Sequence, residues 1–134
     1  MGLPGSGKTT LARQLSERLP AVWYNADEIR NNINKDLAFT ESDRLEQARR
    51  MGILCDIALR NRVVSYAIAD FVCPTEQTRK TFNPDYIIWM NTVKESKHPD
   101  TDKVFKKPDF YNVEITSWDY DSDNIFGLIK LHDR

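Results

Sequence analysis

The stretch Gly2-Leu3-Pro4-Gly5-Ser6-Gly7-Lys8-Thr9 fits the pattern G-x-x-x-x-G-K-[ST], and it constrains the fold more than any other part of the chain. Glycines let successive backbone N–H groups turn toward one anion. A helix opening directly after them adds its positive N-terminal end. In such a loop the lysine reaches the β- and γ-phosphates of a nucleotide, and the following hydroxyl ligates Mg²⁺. Gly2, Leu3, Pro4, Gly5, Ser6, Gly7, Lys8, Thr9 and Thr10 are therefore the candidate ATP-binding residues. Lys8 is a candidate catalytic group and Thr9 a candidate metal ligand. A phosphate loop normally follows a buried central strand, yet only Met1 precedes Gly2. We expect Met1 to be the last residue of that strand, with the start of the strand upstream. The rival reading has the central slot filled in another way, because an empty one would leave two strand edges unpaired.

The rest of the chain alternates helical and strand patterns. Thr9 to Leu19 reads as a helix with Leu11, Leu15 and Leu19 on one face, ended by Pro20. Ala21 to Tyr24 is a short strand, Glu28 to Asn34 a short helix and Lys35 to Phe39 a loop. Thr40 can cap a long helix reaching Asn61, with Leu45, Ala48, Met51, Gly52, Cys55 and Leu59 on its buried face. Val63 to Ala69 is a nearly continuous apolar run, which suits a parallel strand buried on both faces. Pro74 begins a short helix through Thr81, Tyr86 to Met90 is a strand, and residues 93 to 112 show no clear periodicity. Val113 to Thr116 is a last strand and Ile125 to Leu131 a last helix. This alternation predicts an α/β fold of three layers, a mostly parallel sheet flanked by helices, in one domain over residues 1–134.

Composition excludes several classes. In 134 residues, 19 basic and 20 acidic side chains leave a net charge of −1, which disfavours a broadly basic nucleic-acid-binding protein. No apolar run approaches the roughly 20 residues that span a bilayer. Cys55 and Cys73 form no C-x-x-C pair, and with only His98 and His132 to join them a zinc cluster is not expected. No signal peptide pattern is present, so the expected setting is cytoplasmic.

The acceptor side is read from Asn25-Ala26-Asp27-Glu28-Ile29-Arg30 at the end of the second predicted strand. An aspartate there can face the γ-phosphate and accept the proton of an acceptor hydroxyl. Asp27 is thus a candidate catalytic residue and metal ligand, with a helix N-cap as its plainer role. Arg30, Arg44, Arg49 and Arg50 could bind a second anion, although Arg49 and Arg50 also read as a solvated helix face. Asp70, at the end of the third predicted strand, is either a further metal partner or a solvated strand end.

These residues carry a resemblance. The run from Asn25 to Arg44 is similar to the adenylylsulfate kinase family, which shows D-G-D-N-I-R and then L-N-K-D-L-G-F-S-x-x-D-R after a G-L-x-G-S-G-K-[ST] loop. Glu46 and Arg49-Arg50 continue that likeness, and Phe71-Val72-Cys73-Pro74 resembles its F-I-S-P segment. The resemblance implies transfer of the ATP γ-phosphoryl group to the 3′-hydroxyl of adenylylsulfate, with ATP and Mg²⁺ required and a homodimer as a further expectation. It implies Asp27 as acid/base residue, and Arg30, Asn34, Phe39, Arg44, Gln47, Phe71, Cys73 and Phe105 as substrate-binding residues. Phe39 and Phe105 would be the two walls around the substrate adenine. The chain departs from the family at Asn25, Ala26, Cys73 and Asp70, and in a basic lid reduced to about ten residues between Thr92 and Asp102. The segment from Val93 to Lys107 is expected to be too short for a helical flap, leaving the ATP adenine side open and ATP weakly held. The alternatives are a small kinase of the same lineage with another acceptor, or a nucleotide-binding protein with little catalysis.

Overall fold

The computed structural model describes residues 1–133. Helix α1 (Lys8–Ser16) leads to β1 (Ala21–Asn25), α2 (Ala26–Asn32), α3 (Glu41–Arg60) and β2 (Tyr66–Asp70). They are followed by α4 (Glu76–Phe82), β3 (Ile88–Met90), α5 (Pro99–Val104), β4 (Val113–Ile115) and α6 (Ser122–His132). The predicted order of helices and strands holds, with α5 added between β3 and β4. Helix α1 stops at Ser16 rather than Leu19, and Leu19 nevertheless remains in the core. Thr40 caps α3 by accepting a hydrogen bond from the Asp43 N–H, as its position suggested. No described helix is long and apolar enough to cross a membrane.

All strand pairing is parallel, but the sheet is divided. β1 pairs with β2 from Ala21 against Tyr66 to Asn25 against Asp70. β3 pairs with β4. The two pairs are joined through Met1 and Gly2: Gly2 bridges to Met90 in parallel and its N–H donates to the Val72 carbonyl. Met1 thus occupies the top of the central slot, where the phosphate-loop pattern required a strand.

Two apolar assemblies hold the layers. Leu11, Leu15 and Leu19 meet Ile125 and Ile129 of α6 over Met90 and Ile115. On the opposite side α3 packs on α4 and β2. Gly52 makes that approach possible: a Cβ there would stand 3.2 Å from the Phe82 carbonyl oxygen. Met51 and Ala48 beside it are fully buried.

The segment from residue 93 corrects one expectation. Six of its residues form α5, opened by Pro99 at a position where a missing N–H costs nothing. Its neighbourhood is bonded to the acceptor side of the molecule. The Arg44 guanidinium donates to Thr101 Oγ1, and Arg79 donates to the Lys106 carbonyl.

Met51→Ala should cost about 2–5 kcal/mol, the usual range for deleting a fully buried long side chain. Urea unfolding of the variant against the parent chain measures it.

Candidate active site

The phosphate loop takes the shape its glycines allow. Gly5 and Gly7 lie at φ of 76° and 98°, in the region that L side chains avoid. Gly7 is the N-cap of α1, and no side chain bonds the first N–H groups of that helix. The first turn carries no acidic residue either. Backbone donors and the positive helix end are therefore available to an anion. Ser6 Oγ is buried without a partner. Lys8 Nζ donates to the Leu3 carbonyl, 2.8 Å away, folding the lysine back over its own loop. Burial lowers its pKa, opposed by the charges of Asp70 and Asp27. This cradle fits a polyphosphate.

Beside the loop, Thr9 Oγ1 donates to Asp70 Oδ2 at 2.8 Å, and Asn25 Nδ2 donates to the same oxygen at 2.9 Å. Asp70 is 5% exposed, so this is a held carboxylate and not a solvated strand end. A hydroxyl, a carboxylate and a phosphate supply the hard oxygens that Mg²⁺ takes, with water completing the shell. Thr9 and Asp70 fit that ion, and Asp27 lies near enough for its charge to act on Lys8. Among the described residues no cluster of three or more acidic, His or Cys side chains is built to hold a metal alone.

Asn25 had no functional role in the sequence reading, and the structure gives it two. Its Oδ1 accepts from the Glu28 N–H and caps α2, while its amide donates to Asp70. Asp27 is consequently not the cap. It stands in the first turn of α2 with its side chain 85% exposed, 3.6 Å from Arg30. The strand register sets Asn25 directly beside Asp70. Where the resemblance expects an acid at 25 and a small or hydroxyl residue at 70, this chain has an amide at 25 and a carboxylate beside it on the neighbouring strand.

On the acceptor side, Arg30 and Arg44 both lie over the Phe39 ring, at 4.4 and 5.5 Å from its centroid. Phe39 is 59% exposed, leaving area for a planar ligand. Arg30 Nε is buried without a partner. Burial lowers the pKa of both arginines. Phe105 sits under Arg79, not under the Arg30–Arg44 pair. Arg79 itself was missed by sequence reasoning. It is buried and donates to the carbonyls of Cys73 and Lys106, tying three segments around the site.

Other predicted contacts are already engaged. Asn34 and Gln47 are buried and hydrogen-bonded to each other at 2.8 Å, with Gln47 also donating to Ala26. They anchor the loop that carries Phe39 to α3. Phe71 packs edge-on against Phe82. Cys73 is buried at a φ of 49°, and burial pushes its thiol up to about 11. Arg49 and Arg50 are held by Glu46, and Arg50 also by Asp36, so neither is a free anion ligand. Those two guanidinium groups hold the Glu46 carboxyl down to about 2. Trp118 was likewise unforeseen. Its ring stands against Gly7, so close that a Cβ there would lie 2.7 Å from it.

Parallel strands between helices, with the loop at the mouth of α1 and its hydroxyl bonded to a strand-end carboxylate, define a P-loop nucleotide-binding protein. A family model described as adenylylsulphate kinase matches residues 1–94, and the chain belongs to that family. An adenylyl-sulfate kinase of Picosynechococcus sp. is 31% identical over 114 residues, covering 79% of this chain and 64% of that protein. One from Halothermothrix orenii is 32% identical over 85 residues, 60% of this chain and 45% of its own length. The chain thus spans about half to two thirds of these curated relatives. Among solved structures, the Mycobacterium tuberculosis APS kinase CysC in complex with AMPPNP and APS aligns with a TM-score of 0.70 at 20% identity, over 98% of this chain and 93% of that one. A hexameric APS kinase from Thiobacillus denitrificans aligns at 0.73 and 24%, over 98% and 27%. At these identities the likeness is one of fold.

Asn25→Asp should place two carboxylates side by side and remove the amide donor, lowering stability by about 2 kcal/mol. Adding Asp70→Ser to the same chain should recover most of that loss. Urea unfolding of the single and double variants decides it.

Proposed function

We propose that the chain is a kinase that transfers the ATP γ-phosphoryl group to the 3′-hydroxyl of adenylylsulfate, giving ADP and 3′-phosphoadenylylsulfate. The observation that carries this reading is the pairing of two sites across Asp27. A polyphosphate cradle with its Thr9–Asp70 pair lies on one side, and an aromatic ring flanked by two arginines lies on the other. The family match and the APS-bound neighbour support adenylylsulfate as the ligand of the second site.

In this reading the loop N–H groups and Lys8 hold the β- and γ-phosphates, and Lys8 leaves the Leu3 carbonyl to do so. Thr9 and Asp70 would hold Mg²⁺, which supplies charge neutralisation between the phosphates. Asp27, exposed and unencumbered by a cap bond, accepts the proton of the 3′-hydroxyl as it attacks the γ-phosphorus. Arg30 and Arg44 hold the anionic phosphate–sulfate group, and the adenine lies on Phe39. With charge spread over the transferring group, positioning and electrostatics supply most of the rate. Phe105 belongs to the wall built on Arg79. The short segment around α5 braces Arg44 through Thr101, and ATP is therefore held mainly by its phosphates. A cytoplasmic, ATP-rich setting fits this chemistry.

Lys8→Ala should lower kcat at least a hundredfold while the chain stays folded, as expected for losing one preorganised charge contact. ADP release coupled to NADH oxidation, with adenylylsulfate as acceptor, reads it; turnover within tenfold of the parent contradicts the assignment.

Asp27→Asn should cut kcat far more than it changes KM for either substrate, because shape is kept and the proton acceptor is lost. If kcat survives, the base lies elsewhere and Asp70 is the next carboxylate to test. If no acceptor-dependent ADP forms even in the parent chain, adenylylsulfate is not the acceptor.

A further inference from the structure

A guanidinium offers two edges to an anion. Its side-on edge is formed by Nε and Nη2, and its end-on edge by Nη1 and Nη2. At Arg44 the side-on edge is spent inside the protein. Nε donates to the Phe39 carbonyl and Nη2 donates to Thr101 Oγ1, both at 2.9 Å. The same group lies over the Phe39 ring. Two hydrogen bonds and a ring beneath them hold the guanidinium in one orientation, and the end-on edge is what remains for a ligand. Arg30, over the same ring, differs: its Nε is buried without a partner.

Of the two acceptors that hold Arg44, the Phe39 carbonyl is backbone and would be present with any residue at that position. The Thr101 hydroxyl is supplied by a side chain, and among the described residues it bonds Arg44 alone. Thr101 is 7% exposed, and its backbone is fixed without help from the hydroxyl. Its N–H donates to the His98 carbonyl, and its carbonyl accepts from the Phe105 N–H. The turn before it is closed by Asp102, which accepts from the Ser96 N–H and hydroxyl. The stretch after it is tied down where the Lys106 N–H donates to the Pro74 carbonyl. Thr101 thus presents its oxygen from an anchored piece of chain, and the charge of Asp100 beside it also acts on Arg44. An arginine free to rotate must be ordered when a ligand arrives, and that ordering weakens binding.

We propose that Thr101 is a positioning residue for the acceptor. By holding the side-on edge of Arg44, it aims the end-on edge at the anionic group of the acceptor and so sets the affinity for that substrate. Helix α5 then serves the acceptor and not ATP. The inference rests on the reading of Arg44 as a ligand of adenylylsulfate.

Thr101→Val keeps the shape and removes the hydroxyl, Thr101→Ser keeps the hydroxyl, and Thr101→Ala replaces the valine variant if that one does not fold. Calorimetry with ADP present reads adenylylsulfate binding, and steady-state ADP release reads kcat and both KM values. Thr101→Val should weaken adenylylsulfate binding about tenfold and raise its KM likewise, as expected for losing one hydrogen bond to a charged group. KM for ATP should stay within about twofold, and Thr101→Ser should recover most of the parent's affinity for adenylylsulfate. Equal adenylylsulfate affinity in Thr101→Val and the parent, with binding lost in Arg44→Ala, overturns this proposal alone. So does an equal rise in both KM values, or a serine variant as weak as the valine one, because a merely structural role produces those results. A parent chain that does not bind adenylylsulfate, or an Arg44→Ala variant that binds it as the parent does, overturns the acceptor reading of Arg44 and this proposal with it.

Discussion

The passage of Met1 and Gly2 between Val72 and Met90 is the backbone contact on which the remaining architecture rests. It is the only strand-like link between the two halves of the sheet among the described residues. It also sets the origin of the phosphate loop, so that Lys8 and Thr9 emerge above the C-terminal ends of β1 and β2. Those ends deliver Asn25 and Asp70 in register. A site built this way depends on strand pairing for its geometry, and strand pairing here depends on two residues.

Charge placement inside the site follows a conservative rule. Asp70 is buried, and every polar neighbour that touches it donates: the Thr9 hydroxyl and the Asn25 amide. A buried carboxylate needs such donors or a cation. Asp27, by contrast, is left in water. One carboxylate is therefore locked between two donors and the other stands in solvent beside Arg30, a difference set by environment alone. The arginines divide in the same way. Arg50 and Arg79 are consumed by internal bonds; Arg30 and Arg44 lie over Phe39, with Arg44 also bonded to the Phe39 carbonyl and Thr101.

Much of this was legible in the residues. The loop pattern fixed α1 and its first turn, leucine spacing fixed the buried face, and Thr40 marked the start of α3. The run from Asn25 to Arg44 pointed to Arg30, Phe39 and Arg44 together. What escaped sequence reading depends on long-range pairing. Nothing local says that Asn25 will face Asp70, 45 positions away, or that Arg79 will reach Lys106. Asn34 and Gln47 entered as substrate-binding residues through the family resemblance, and here they bond each other. Helix α5 was missed because its six residues show no full period; Pro99 as a helix opener was the available cue.

The position of Trp118 has an optical consequence. The chain has three tryptophans: Trp89 is buried, Trp23 lies beneath Arg13, and Trp118 alone is largely exposed while touching the phosphate loop. An indole in that place samples water on one side and Gly7 on the other. Its emission is thus an intrinsic gauge of loop occupancy, carried by the protein without any attached dye.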